Sequence, residues 1–136
     1  MIALRLYDGI IKIINLNTSG RQLQANTQRI EEIQVLDMVF LHTVHKPTLA
    51  ILYEDSQVNI TNLNFFFRKI RFLHEKDIQG RHLSTHYISM RGESEVNMDK
   101  GPFKQSNVDG EAILVEPVPD PTAGILIVGQ VKYIKL

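Results

Sequence analysis

The sequence predicts an all-β chain of short antiparallel strands, and three observations carry that prediction. A hairpin pattern stands at the start, apolar or alternating runs recur about every 10 to 20 residues after it, and no long stretch repeats with the helical period of about 3.6 residues. Strands at that spacing, punctuated by glycine and proline, are the pattern of sandwiches, barrels and propellers.

The hairpin is Ile2 to Tyr7, then Asp8-Gly9, then Ile10 to Leu16; Asp-Gly accepts φ > 0 at both turn positions. An isolated two-stranded ribbon is marginal in water, so further strands must cover it. Asn17 to Gly20 reads as a turn cluster, and Arg21 to Glu32 as a polar connection or an edge segment, since a helix there would have little apolar face. Ile33 to Leu41 reads as a strand, with Ile33, Val35 and Val39 on one side and Asp37 on the other. Lys46-Pro47 ends the connection that follows, because proline lacks a ladder donor and restrains the residue before it. Thr48 to Tyr53 is nearly all apolar, as a strand buried on both faces requires. Arg81 to Met90 is another strand, between Gly80 and Gly92; Asn97 to Asn107, with Gly101-Pro102, is expected to be irregular. Ile113 to Val115 and Gly124 to Gly129 complete the strand set, separated by Pro117, Pro119 and Pro121. The segment Ser56 to Lys76 breaks this rhythm, holding four of the six phenylalanines and fitting neither a two-residue nor a helical period.

Composition narrows the function. Fifteen basic against fifteen acidic residues leave no net charge, so no global field draws the chain to nucleic acid or an anionic membrane. The absence of cysteine excludes disulfides and thiolate chemistry. No apolar run approaches the roughly 20 residues that span a bilayer, so no membrane partner is expected.

Three stretches taken together, Met1 to Gly9, Gln79-Gly80-Arg81-His82, and Lys100 to Gln105 with Asn107-Val108, resemble the first β-propeller of the damage-specific DNA-binding protein 1 family. That family supplies the large subunit of the UV-damaged DNA-binding complex. Arg29 to Glu32 and Gly124 to Gln130 fall where similar family segments fall. The resemblance implies a partial seven-bladed β-propeller: the second half of one blade, one full blade and the start of the next, about two blades over residues 1–130. It places the opening hairpin in the outer strands of its blade and Met1 at an internal family position, as in a truncated chain. Residues 56–76 stand as an insertion into a tight hairpin, with the texture of a translated retained intron; residues 131–136 stand as a tail beyond the family similarity.

The implied role is a scaffold: part of the adaptor of a cullin-type ubiquitin ligase that recruits substrate receptors in DNA repair, in the nucleus and also the cytoplasm. Damaged DNA is then reached only through a partner subunit, and no small-molecule substrate or cofactor is implied. Family relatives in messenger-RNA 3′-end processing and splicing keep open an alternative, a nucleic-acid-binding module. The basic-aromatic stretch Phe65 to Phe72, with Arg68 and Lys69, has the composition of a stacking platform.

Within the implied cleft the resemblance singles out Arg29, whose guanidinium donates to carboxylates and helix-end carbonyls in a fixed fork. Tyr7 and Asp8 are expected to be blade structure rather than contacts. His82 and His86, four apart on one strand face, and His42 and His45 offer imidazoles but neither thiolates nor a Glu-x-x-His helix, so no metal is expected. The pairs Glu31–Glu32 and Glu54–Asp55 could be imagined as acid and base, yet neighbours on a strand point to opposite faces. No phosphate loop or nucleophile elbow is present, and no enzyme is expected. The sequon Asn59-Ile60-Thr61 carries no meaning without secretion.

Overall fold

A strand that is apolar at successive positions needs a packed layer on each side, because alternate side chains leave opposite faces. The computed structural model supplies both layers. It describes residues 1–7, 9–16, 23–42, 46–57, 78–92, 95–108, 110–129 and 133–135, among which there is no helix.

Three antiparallel meanders follow one another along the chain. The first is β1 (Ile2–Tyr7), β2 (Ile10–Asn15) and β3 (Gln24–Arg29), in spatial order β1-β2-β3. The second is β4 (Val35–Phe40), β5 (Thr48–Gln57), β6 (Ile78–Arg91) and β7 (Glu95–Val108), again in sequence order. The third is β8 (Ala112–Val118), β9 (Gly124–Gly129) and β10 (Tyr133–Lys135), with β9 in the middle.

Thr48 to Tyr53 is buried throughout, as its composition predicts. Leu49 and Ile51 join Val35, Ile88 and Val96 against Ile11 and Ile13 of the first sheet. Ala50 and Leu52 join Leu83 and Val108 against Ala112, Val115, Ile125 and Ile127 of the third. Full burial of each large aliphatic contributes roughly 1.5–3 kcal/mol, so the two seams hold the sheets together.

One complete four-stranded sheet between two partial ones agrees with a partial propeller. Within the polar stretch Arg21 to Glu32, Gln24–Arg29 forms an edge strand, β3, which lies against β7. Of residues 56–76, Ser56 and Gln57 continue the backbone of β5, and residues 58–76 lie outside the described residues. In the tail, Tyr133 to Lys135 pairs with β9.

Two expectations are corrected. The first concerns the faces of β4. Val35 pairs with Tyr53 but Asp37 with Leu52, so one extra residue bulges between them and the alternation inverts. Val35 then shares the first-sheet seam with Met38 and Phe40, while Asp37, Val39 and Leu41 face the third sheet. The second concerns Asn97 to Asn107, which is not irregular but lies within the 14-residue strand β7. Its ladder to β6 shifts register twice, and Gly101 packs so closely on Thr85 that an added Cβ would meet Thr85 backbone at 2.5 Å. Thr85 Oγ1 replaces the missing ladder bonds, accepting from Phe103 N at 3.2 Å and donating to Phe103 O at 2.6 Å. Pro102 is tolerated because β7 is an edge strand.

Polar side chains also cross the seams. Arg5 Nη1 of β1 donates to Val35 O of β4, and Gln28 Nε2 of β3 donates to Val96 O of β7 at 2.8 Å. On the other side, Asp37 Oδ2 accepts from Val115 N of β8 at 2.8 Å, and Arg81 Nη1 donates to Ala112 O.

These contacts rank three substitutions in urea denaturation. Ile51→Ala, which empties the first seam, is expected to cost about 2–5 kcal/mol. Asp37→Ala, which strands the Val115 amide, should cost about 1–3 kcal/mol, whereas exposed Asp55→Ala should stay within about 0.5 kcal/mol.

Candidate protein-interaction site

The turn at the end of the opening hairpin fixes one corner of the molecule. Gly9 sits at φ 74°, where an L side chain is strained, and its carbonyl accepts from Ile30 N at 3.0 Å. Tyr7 pairs with Ile10 and Ile10 with Arg29, so these three residues form one row across the end of the first sheet. Arg29 is thus the last residue of β3 rather than part of a connection, and its side chain is exposed, with no ion pair among the described residues.

From this row the chain crosses to the second sheet through Ile30 to Gln34. Glu31 turns outward and Glu32 inward, so the adjacent carboxylates share no cleft. Glu32 is only 5% exposed. Its Oε1 accepts from Ser84 Oγ at 2.5 Å and from His86 Nε2 at 2.7 Å, both on β6. Burial by itself raises the Glu32 pKa, but hydrogen bonds from His86 and Ser84 and the charge of His86 outweigh it and hold the group at about 2. The crossing ends at Gln34, whose carbonyl accepts from Glu54 N at 3.2 Å.

The remaining candidates are placed apart. His82 and His86 do share the β6 face toward the first sheet, but each has its own partner. The His82 ring lies 5.4 Å from that of Tyr53, and its Nδ1 accepts from Asn107 N at 3.3 Å. His42 is exposed, and His45 lies outside the described residues. Among the described residues no group of three or more His, Asp or Glu is placed to hold a metal ion. Glu54 pairs with Arg81 Nε at 3.7 Å on the opposite face, while Asp55 is exposed. Phe65 to Phe72 and the sequon at Asn59 lie outside the described residues, as does Asp8.

Tyr7 ends the edge strand β1, paired with Ile10 just past the register shift that follows Arg5, and its side chain is 76% exposed. Ile33, in the crossing that follows, is 59% exposed. Sequence reasoning missed the Glu32 contact. Its one sequence signal was Ser84-x-His86, two polar residues on a strand face otherwise expected to be buried.

One four-stranded antiparallel meander packed between two three-stranded ones is the arrangement of successive blades of a β-propeller. The chain matches the profile described as RSE1/DDB1/CPSF1 first beta-propeller over residues 1–135, and it belongs to that family. It is 35% identical over 130 residues to DNA damage-binding protein 1b of Arabidopsis thaliana, 34% to DNA damage-binding protein 1 of Solanum lycopersicum and 33% to that of Oryza sativa subsp. japonica. Each match covers 96% of this chain and 10% of the relative, so the chain spans about a tenth of the length of those proteins.

The Glu32 contact carries a pH prediction. A carboxyl held at about 2 against an ordinary 4.5 adds stability that is complete above pH 4.5 and is lost as pH falls toward 2. Glu32→Gln should therefore flatten the acid limb of a stability–pH curve, by about 3 kcal/mol across that window, and leave its shape at neutral pH unchanged.

Proposed function

We propose that the chain is part of a protein-interaction scaffold, belonging to the adaptor of a cullin-type ubiquitin ligase that recruits substrate receptors in the DNA damage response. It acts without catalysis, in the nucleus and also the cytoplasm, and reaches damaged DNA only through a partner subunit. The observation that supports this reading is the corner where Arg29 and Tyr7, both exposed, share one row across the end of the first sheet. Arginine and tyrosine are the residues enriched at energetic centres of protein interfaces, and an arginine fork suits the carbonyls and carboxylates at a helix end. The relatives at 33–35% identity are named for damaged-DNA binding, which fits a role in that response. With fifteen basic and fifteen acidic residues, direct binding to a polyanion gains no net attraction.

The test is capture of synthetic helical peptides from substrate receptors by the immobilised chain. Arg29→Glu is expected to weaken capture at least about tenfold by reversing the charge at the rim. Unchanged capture would remove Arg29 from the interface. Salt-sensitive retention of duplex DNA by the chain, with no peptide captured, would replace the scaffold by a nucleic-acid-binding module.

A further inference from the structure

We infer that Glu32 is a positioning residue: its buried carboxylate holds the Ile30 to Gln34 crossing against β6 and so fixes how Arg29 and Glu31 are presented at the rim. This rests on the reading of that rim as a protein-binding edge, and it adds the device that shapes it.

Three observations carry it. Glu32 reaches across the seam to Ser84 and His86, at 2.5 and 2.7 Å, while its neighbours Glu31 and Ile33 are exposed. Its second oxygen, Oε2, is buried and has no side-chain hydrogen-bond partner among the described residues. A carboxylate in a seam otherwise filled by apolar residues such as Ile11 and Ile13 is held only through the donors that reach it from β6. Finally, Gln34 has φ 53°, a left-handed backbone that a non-glycine residue keeps only where its surroundings over-determine it.

The crossing is thereby tied at three points: Ile30 N to Gly9 O, Glu32 to β6, and Gln34 O to Glu54 N. Removing the middle tie leaves a strained crossing held at its ends alone. Arg29 directly precedes the first tie, so its direction follows the crossing.

Amide hydrogen exchange on the full 136-residue chain at neutral pH tests this without any partner. Glu32→Ala should speed exchange at the Ile30 and Glu54 amides by about tenfold and leave the β5 amides from Leu49 to Leu52 unchanged. Glu32→Gln, which keeps an acceptor for Ser84 and His86 but loses the charge, should accelerate exchange at both reporters less than Glu32→Ala does. Ser84→Ala removes one donor and should give a smaller acceleration at the same two amides, a readout that survives if Glu32→Ala does not fold. Unchanged exchange at the reporters in these variants, or equal acceleration along β5, would reduce Glu32 to a general contributor to stability and overturn the inference. Were the exchange result to hold while Arg29→Glu left peptide capture intact, the interface reading would fail and the clamp would stand.

Discussion

The arrangement depends on β5, which is apolar on both faces and therefore cannot be satisfied by one neighbouring layer. Leu49 and Ile51 demand the first sheet; Ala50 and Leu52 demand the third. Either sheet alone would leave half of the strand in water, and burial of a large aliphatic is worth more than most single hydrogen bonds. The flanking sheets repeat the problem at lower intensity. Ile2 and Leu4 on β1 and Leu114 on β8 are exposed, and in a propeller such faces meet neighbouring blades.

Packing alone does not set how the layers align, since apolar contact is non-directional. Direction comes from polar side chains that cross the seams, and besides Asn15 and Glu32, which meet side chains, four of them reach backbone groups. Arg5 reaches Val35, Gln28 reaches Val96, and Arg81 and Asp37 reach Ala112 and Val115. All four targets are backbone groups on β4, β7 and β8, which are sheet edges. An edge strand carries main-chain donors and acceptors that the ladder leaves unpaired, and a buried one without a partner is costly. Each crossing side chain thus satisfies an edge and pins the neighbouring sheet in one motion. Gln28 makes the point for β3, whose polar sequence concealed a strand: the residue that lowers its apolar content is the one that ties it to β7.

What the sequence disclosed and what it hid divide along this line. The opening hairpin, the doubly buried Thr48 to Tyr53 run and the β9 segment were legible because turn chemistry and apolar continuity are local signals. The faces of β4 were not, because the bulge that inverts Asp37 depends on pairing with Tyr53 and Leu52, some 15 residues away in the chain. Strand β7 was hidden for a related reason: Gly101-Pro102 reads as a break until Thr85 supplies the donor and acceptor that hold Phe103. At the candidate site the resemblance drew attention to Arg29, and Glu32 was weighed only as an acid beside Glu31. Its partners lie 52 and 54 residues further along, beyond the reach of any spacing argument.

The seam between the first and second sheets changes character along its length, and that change bears on function. Where Ile11, Ile13, Leu49, Ile51 and Ile88 meet, contact is dry and tolerant of small shifts. Where Glu32, Ser84 and His86 meet, it is directional, with both donors on one oxygen of the carboxylate. A uniformly apolar seam would hold the sheets as well or better, because a buried ion pair repays its desolvation only in good geometry. The polar end lies beneath the crossing that follows Arg29. Stability is thus concentrated at the apolar end, and the directional contact of Glu32 with Ser84 and His86 stands where the chain crosses from the first sheet to the second.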